Sequence, residues 1–87
     1  MTSDMINKPI TVLLIDDHPV VRTGYCHLLE SGANIQVVAE ADDGETGYLL
    51  YQEHKPDVVV LDLNMAGIDG LETIRRIKAK NPRANIL

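Results

Sequence analysis

Cysteine is almost missing: Cys26 is the only thiol among 87 residues. An internal disulfide is therefore excluded, as are the paired-cysteine motifs of zinc and redox sites. Long apolar runs are missing as well. Val12–Ile15 and Val58–Leu61 are the longest, and both are far too short to cross a bilayer. The first residues lack the basic, apolar and small-residue layout of a secretory leader. The expectation is a cytoplasmic chain with no membrane partner. No heptad repeat persists, so a coiled coil is excluded. Neither the P-loop pattern nor the glycine fingerprint of dinucleotide folds occurs. His18, His27 and His54 do not have the spacing of helical zinc ligands. Cys26 and His27 are neighbours and would point apart on a helix, so they do not form a nucleophile–base pair. Ser3 and Ser31 lie outside any nucleophile-elbow context.

What is present fits one small soluble domain. The residues are 45% hydrophobic and 24% charged, an ordinary globular balance, although a chain this short can build only a marginal core. The formal net charge is −5. Every acid lies before residue 75, while Arg75, Arg76, Lys78, Lys80 and Arg83 cluster after it. An acidic body argues against nucleic acid as a direct partner. The basic cluster reads as the solvated face and C-terminal end of a helix, where cations suit the macrodipole.

The apolar pattern alternates between two kinds of element. Ile10–Ile15 is a continuous β-branched run, which suits a strand buried on both faces. Pro19 fits the first turn of a helix. Val20, Val21, Gly24, Tyr25, Leu28 and Leu29 follow at helical spacing, one of the two valines reading as core, until Ser31-Gly32 stops the helix. Cys26, inside this pattern, reads as a buried structural thiol. Ile35–Glu40 reads as a second strand. Asp42 can cap the next helix, with Glu45 reaching back to it, and Lys55-Pro56 ends that helix. Its Tyr48 and Tyr51, like Tyr25, read as packing residues. Asp57–Asp62 holds a third strand, and Leu63–Ile68 a loop. Asp69 opens a third helix in the same capping manner. Leu71, Ile74 and Ile77 line one face of it, and Asn81-Pro82 closes it. Ala84–Leu87 begins a fourth strand. This order predicts an α/β fold with a doubly wound parallel sheet.

In open parallel sheets, ligands gather beyond the carboxyl ends of the strands. Asp16 and Asp17 follow the first strand and Asp62 the third. If these strands are neighbours, three carboxylates converge, and their mutual repulsion is relieved by a hard divalent cation. Oxygen-only ligands with room for water suit Mg²⁺, which often bridges to phosphate. Acids also follow strands simply as helix caps, so the residues alone leave both readings open.

The ordered set of motifs narrows the choice. Asp16-Asp17-His18-Pro19-Val20-Val21-Arg22-Thr23-Gly24 is followed by Asp43-Gly44-Glu45 and by Lys55-Pro56-Asp57-Val58-Val59. Asp62-Leu63-Asn64-Met65 then precedes Gly67-Ile68-Asp69-Gly70-Leu71-Glu72. The set resembles the receiver domain of bacterial two-component response regulators. It is most like the NarL/FixJ class, whose members carry a LuxR-type DNA-binding output domain. The resemblance implies a flavodoxin-like receiver fold of strand order 2-1-3-4, cut at the start of the fourth strand. Residues 1–9 would be a flexible tail. Residues 10–87 would be a partial receiver domain without the fourth helix, fifth strand and fifth helix, and with no output domain.

The resemblance also assigns roles. Asp62 would be the phosphoacceptor, taking a phosphoryl group from a sensor histidine kinase. Asp17 and Asp62 would ligate Mg²⁺, Asn64 would add its backbone carbonyl, and Asp16 would act through water. Gly67 and Gly70 would allow close approach in the loop. His18 is assigned no chemical role. The chain would be a phosphoacceptor in transcriptional regulation, not an enzyme, touching DNA only through an output domain. Ala66 replaces the usual loop proline. The family's Ser or Thr after the fourth strand and Lys after the fifth are not among these residues, so weak phosphorylation is expected. The uncovered third and fourth strands are expected to favour self-association. A phosphorylation-independent interaction module is one alternative. An aspartate-nucleophile phosphatase is another, disfavoured because Asp62-Leu63-Asn64 lacks that class's second acid.

Overall fold

The computed structural model describes residues 8–32, 34–63 and 70–87. Strand β1 (Ile10–Ile15) leads to helix α1 (Pro19–Ser31), β2 (Ile35–Ala41), α2 (Gly44–His54), β3 (Val58–Leu61), α3 (Gly70–Lys80) and β4 (Asn85–Ile86). The sheet order is β2-β1-β3-β4, and every pair is parallel. The expected doubly wound order 2-1-3-4 is therefore the observed one. Parallel neighbours need crossover connections, and each crossover here is a helix.

β1 lies between β2 and β3, which is why its run is apolar on both faces. Val12, Leu13, Leu14 and Ile15 are all buried. Leu13 and Ile15 point to one face, where they join Ala41, Tyr51, Val59, Leu61, Ile77 and Ala84. Tyr48 and Ile74 pack against that core, so α2 and α3 cover this side. Gly47 sits where a Cβ would come within 2.9 Å of Ile15 Cγ1, so α2 can lie close on the strand. The opposite face is thinner. Helix α1 has no buried residue: Val20 is 86% exposed and Val21 45%, so neither valine is the core position that the pattern predicted.

Four local expectations need correction. Asp43, not Asp42, caps α2: its Oδ1 accepts the Thr46 N–H at 2.7 Å. The Thr46 hydroxyl also donates to Asp43 Oδ2, at 3.2 Å, and the cap sits on Asp43 because the helix starts one residue later than the pattern suggested. Leu71 is 66% exposed, and the buried stripe of α3 runs instead through Gly70, Thr73 and Ile77. Tyr25 is exposed and Cys26 only half-buried. Burial and the Glu40 carboxylate nevertheless push the Cys26 thiol up to about 11, which leaves it unreactive near neutrality. The expected loop at Leu63–Ile68 and the Asp69 cap fall largely or wholly on residues 64–69, outside the described residues.

The helix ends follow their sequence signals. Lys55 ends α2 in the left-handed region at φ 48°, its N–H donating to Tyr51 O, and Pro56 prevents continuation. Lys78 Nζ donates to Ala84 O at 2.6 Å, tying the basic end of α3 to the start of β4. Asn81 Nδ2 donates to Tyr51 Oη at 3.0 Å, joining α2 and α3.

A reciprocal clamp closes the N-terminal end of the β1–β3 pair. The Thr11 N–H and hydroxyl both donate to Asp57 Oδ2, at 2.8 and 3.0 Å, and the Asp57 N–H donates to Thr11 Oγ1 at 2.9 Å. These bonds, the Thr11 N–H first, hold the Asp57 carboxyl below its ordinary 3.8. A carboxyl depressed by folding adds stability above its unfolded value, and that stability is lost as pH falls through the lower folded value. The acid limb of the stability–pH profile should therefore steepen below about pH 4. Asp57→Asn should flatten it, at a cost within about 1 kcal/mol at pH 7 because the site is exposed. Urea titrations between pH 2 and 7 read this directly. An unchanged acid limb in the variant would remove the clamp from the account.

Candidate functional site

The pairing of β1 with β3 runs from Val12–Val58 to Ile15–Leu61. It therefore ends with Asp16 and Asp62 side by side. The backbone continues the ladder one step further: the Asp62 N–H donates to Ile15 O at 2.9 Å, and the Asp16 N–H to Ala41 O at 3.0 Å. Carboxylate oxygens of Asp16, Asp17 and Asp62, with a ring nitrogen of His18, all lie within 4.8 Å of one another. The strands are thus neighbours, and the convergence that the sequence left conditional is present. Asn64 and Gly67, the other positions implied for the loop, lie outside the described residues.

Each acid is held differently. Asp16 is the deepest and is buried. Its Oδ1 accepts the His18 N–H at 2.8 Å, and its carbonyl accepts Arg22 Nη1 at 2.7 Å. Arg22 reaches from the first turn of α1 and also pairs with Glu40 at 3.3 Å, at the end of β2. One guanidinium thus ties α1 to the carboxyl ends of β1 and β2. Asp17 and Asp62 are partly open, as a site that must admit a solvated ligand requires.

His18 is the residue that the sequence reading passed over. Its Nδ1 lies 2.9 Å from Asp17 Oδ1, 3.2 Å from Asp16 Oδ1 and 3.5 Å from Asp62 Oδ2. The hydrogen bond to Asp16, then the charge of Asp17, hold the imidazole above its ordinary 6.5. The only sequence signal was its place directly after paired acids at the carboxyl end of a strand.

A cavity of about 460 Å³ opens beside these groups, lined by Leu14, Val21, Tyr25, Val60 and Leu63 together with Asp16, His18 and Asp62. The donor set fits a hard divalent cation: three carboxylates supply oxygen, and the open cavity leaves room for water ligands. Without a cation or a matching positive charge, acids this close repel one another.

Comparison with known proteins shows the family and the fold. The family described as the response regulator receiver domain matches residues 12–87. The nitrate/nitrite response regulator NarL of Escherichia coli K12 is 45% identical over 80 residues, covering 92% of this chain and 37% of that protein. The transcriptional regulatory protein LiaR of Bacillus subtilis is 48% identical over 68 residues, covering 78% of this chain and 32% of that one. The chain thus spans about a third of the length of these curated relatives. A crystal structure of a LuxR-family two-component response regulator from Aurantimonas superposes with a TM-score of 0.86 at 43% identity. It covers 91% of this chain and 56% of the other. The signal receiver domain of NarL from Mycobacterium tuberculosis gives 0.85 at 33% identity, over 91% and 64%.

Gly70 links the core to this site. A Cβ there would stand 2.7 Å from Leu63 Cα and 3.1 Å from Asp62 O, both backbone atoms. Gly70→Ala must therefore move the segment that carries Asp62, at a cost of about 1–3 kcal/mol. Denaturant melts should show that loss, and amide NMR shifts should concentrate at residues 61–63 and spare Thr46. Undisturbed Asp62 and Leu63 resonances at unchanged stability would contradict the packing described.

Proposed function

The chain belongs to the response regulator receiver family, and from that premise we propose that it is the Mg²⁺-dependent phosphoacceptor of a two-component phosphorelay. The observation that carries this reading is the meeting of Asp16, Asp17 and Asp62 at the carboxyl edge of adjacent strands, beside an open cavity. Asp62 is the acceptor. Asp17 and Asp62 would hold the ion, with the Asn64 carbonyl and a water-mediated contact from Asp16 added as the family resemblance implies. Mg²⁺, when bound, neutralises charge on the carboxylates and on the phosphoryl oxygens.

The chain's own residues supply position. A carboxylate oxygen of Asp62 forms the new bond to phosphorus as the bond to the kinase histidine nitrogen breaks. The electron pair leaves with the imidazole, which then takes a proton. Phosphoryl transfer of this kind needs alignment and charge compensation more than covalent help. β3 sets the approach of Asp62, and the Arg22 and His18 N–H contacts fix Asp16 behind it. The partner is a sensor histidine kinase in the cytoplasm. The output is transcriptional, through a LuxR-type DNA-binding domain, in keeping with what the names of the similar proteins state. The chain acts as a switch and not as a turnover enzyme.

Intact-mass measurement with Mg²⁺ and a small acyl-phosphate donor tests the acceptor. Any phosphoryl group gained should require Mg²⁺ and be absent from Asp62→Asn. Labelling of the 87-residue chain should be slight, since the hydroxyl and lysine implied for the phosphoryl oxygens are not among its residues. A chimera joining residues 1–87 to the remainder of a NarL-type receiver should label fully. A chimera that folds and binds Mg²⁺ yet gains nothing would replace this reading with a phosphorylation-independent interaction module.

Self-association is part of the same proposal. The expected surface is the edge of the sheet: β4 is its outer strand next to β3, Leu87 beside it is exposed, and an open strand edge favours pairing between copies. Sedimentation should show mass rising with concentration, and Leu87→Lys, a charge at the strand edge, should lower it. A compact monomer at every concentration would sink the idea.

A further inference from the structure

The acidic pocket, read above as the seat of a divalent cation, has a fourth donor. The inference about it rests on that reading. Asp17 and Asp62 are acids of two different elements, and the His18 imidazole stands between them and Asp16. Its Nδ1 is 2.9, 3.2 and 3.5 Å from one oxygen each of Asp17, Asp16 and Asp62. Donors that share one first-row ion at about 2.0–2.2 Å stand roughly 3.0–3.5 Å apart, the edge of the coordination polyhedron. The separations to Asp16 and Asp62 fall in that range and the one to Asp17 lies just below it, and the Asp16 contact is also the ring's hydrogen bond when no ion is bound.

Other features of the ring agree. His18 is the N-cap residue of α1, yet its side chain makes no capping hydrogen bond. Its backbone N–H is tied to Asp16 Oδ1 at 2.8 Å, which keeps the ring over the pocket. The side chain is 62% exposed, so it is not packed in place by the core. It lines the same cavity as Asp16 and Asp62. His27 and His54 join no such group of donors among the described residues.

We propose that His18 is a metal-ligating residue, and that its Nδ1 makes this pocket take first-row transition ions such as Mn²⁺ and Zn²⁺ ahead of Mg²⁺. Mg²⁺ selects oxygen donors and keeps its waters, so an imidazole adds little to its binding. Imidazole is a good donor to the later divalent ions, and a single nitrogen among carboxylates shifts the preference toward them. The pocket is then a mixed nitrogen–oxygen site, and the metal present becomes a variable of the switch.

Mn²⁺ titration followed by electron paramagnetic resonance, with Mg²⁺ read by competition, tests this on the wild-type chain, His18→Ala and Asp17→Asn. Bound Mn²⁺ in wild type should show nitrogen coupling in electron spin-echo modulation. His18→Ala should abolish that coupling and weaken Mn²⁺ about tenfold, leaving Mg²⁺ within about twofold. Missing nitrogen coupling in wild type overturns the proposal, and so does a His18→Ala change that is equal for both ions. Tighter binding of both ions by His18→Ala also overturns it, since the ring would then only occupy the seat. Asp17→Asn should weaken both ions. If it weakens neither, the acidic seat itself is misplaced, a failure distinct from that of His18.

Discussion

Four backbone pairs, Val12–Val58 to Ile15–Leu61, hold β1 and β3 side by side, and they fix where Asp16 and Asp62 can stand. Side chains alternate along a strand, so a slip of one residue would carry every buried side chain to the other face and separate the acids. The register is pinned at both ends. The Thr11–Asp57 hydrogen bonds close one end. The Asp62 N–H to the Ile15 carbonyl closes the other. The site is thus set by the sheet that ends beneath it.

The two faces of the sheet divide the work. Leu13, Ile15, Val59 and Leu61 pack with Tyr51 and Ile77 under α2 and α3. That side is dense, and Gly47 and Gly70 allow backbones and side chains to approach where a Cβ would intrude. Leu14 and Val60 on the other side line a cavity with Val21 and Tyr25 of α1. Stability is concentrated on the first face and access on the second. The Asp62 segment sits at the boundary, touching Gly70 from the dense side and opening to the cavity from the other.

Charge is handled by position more than by pairing. Most ion pairs among the described residues lie at the surface, such as Arg75 and Arg76 with Glu72, and such pairs contribute little. Arg22 differs because its guanidinium reaches the Asp16 carbonyl as well as Glu40. It sets the path of the chain just before the paired acids turn toward the site. His18 then sets a ring nitrogen beside the carboxylates of Asp16, Asp17 and Asp62.

The sequence alone determined the element order and the strands, because bare β-branched runs bounded by Asp, Pro and Gly leave little choice of local structure. It also marked the acids at the strand ends and, through the spacing of the motif set, the family. It misplaced what depends on neighbours remote in the chain. Asp42 and Asp43 are equally good caps by type, and only the start of α2 selects Asp43. Leu71 fits an apolar helical stripe, but the way α3 lies on the sheet buries Thr73 and leaves Leu71 in solvent. Val20 lies exposed because its side of α1 meets no partner among the described residues. Thr11 and Asp57 are 46 positions apart, beyond the reach of any local pattern. The same holds for His18 and Asp62. Their meeting is a property of the parallel pairing of β1 with β3, since only that contact converts two separate strand ends into one pocket.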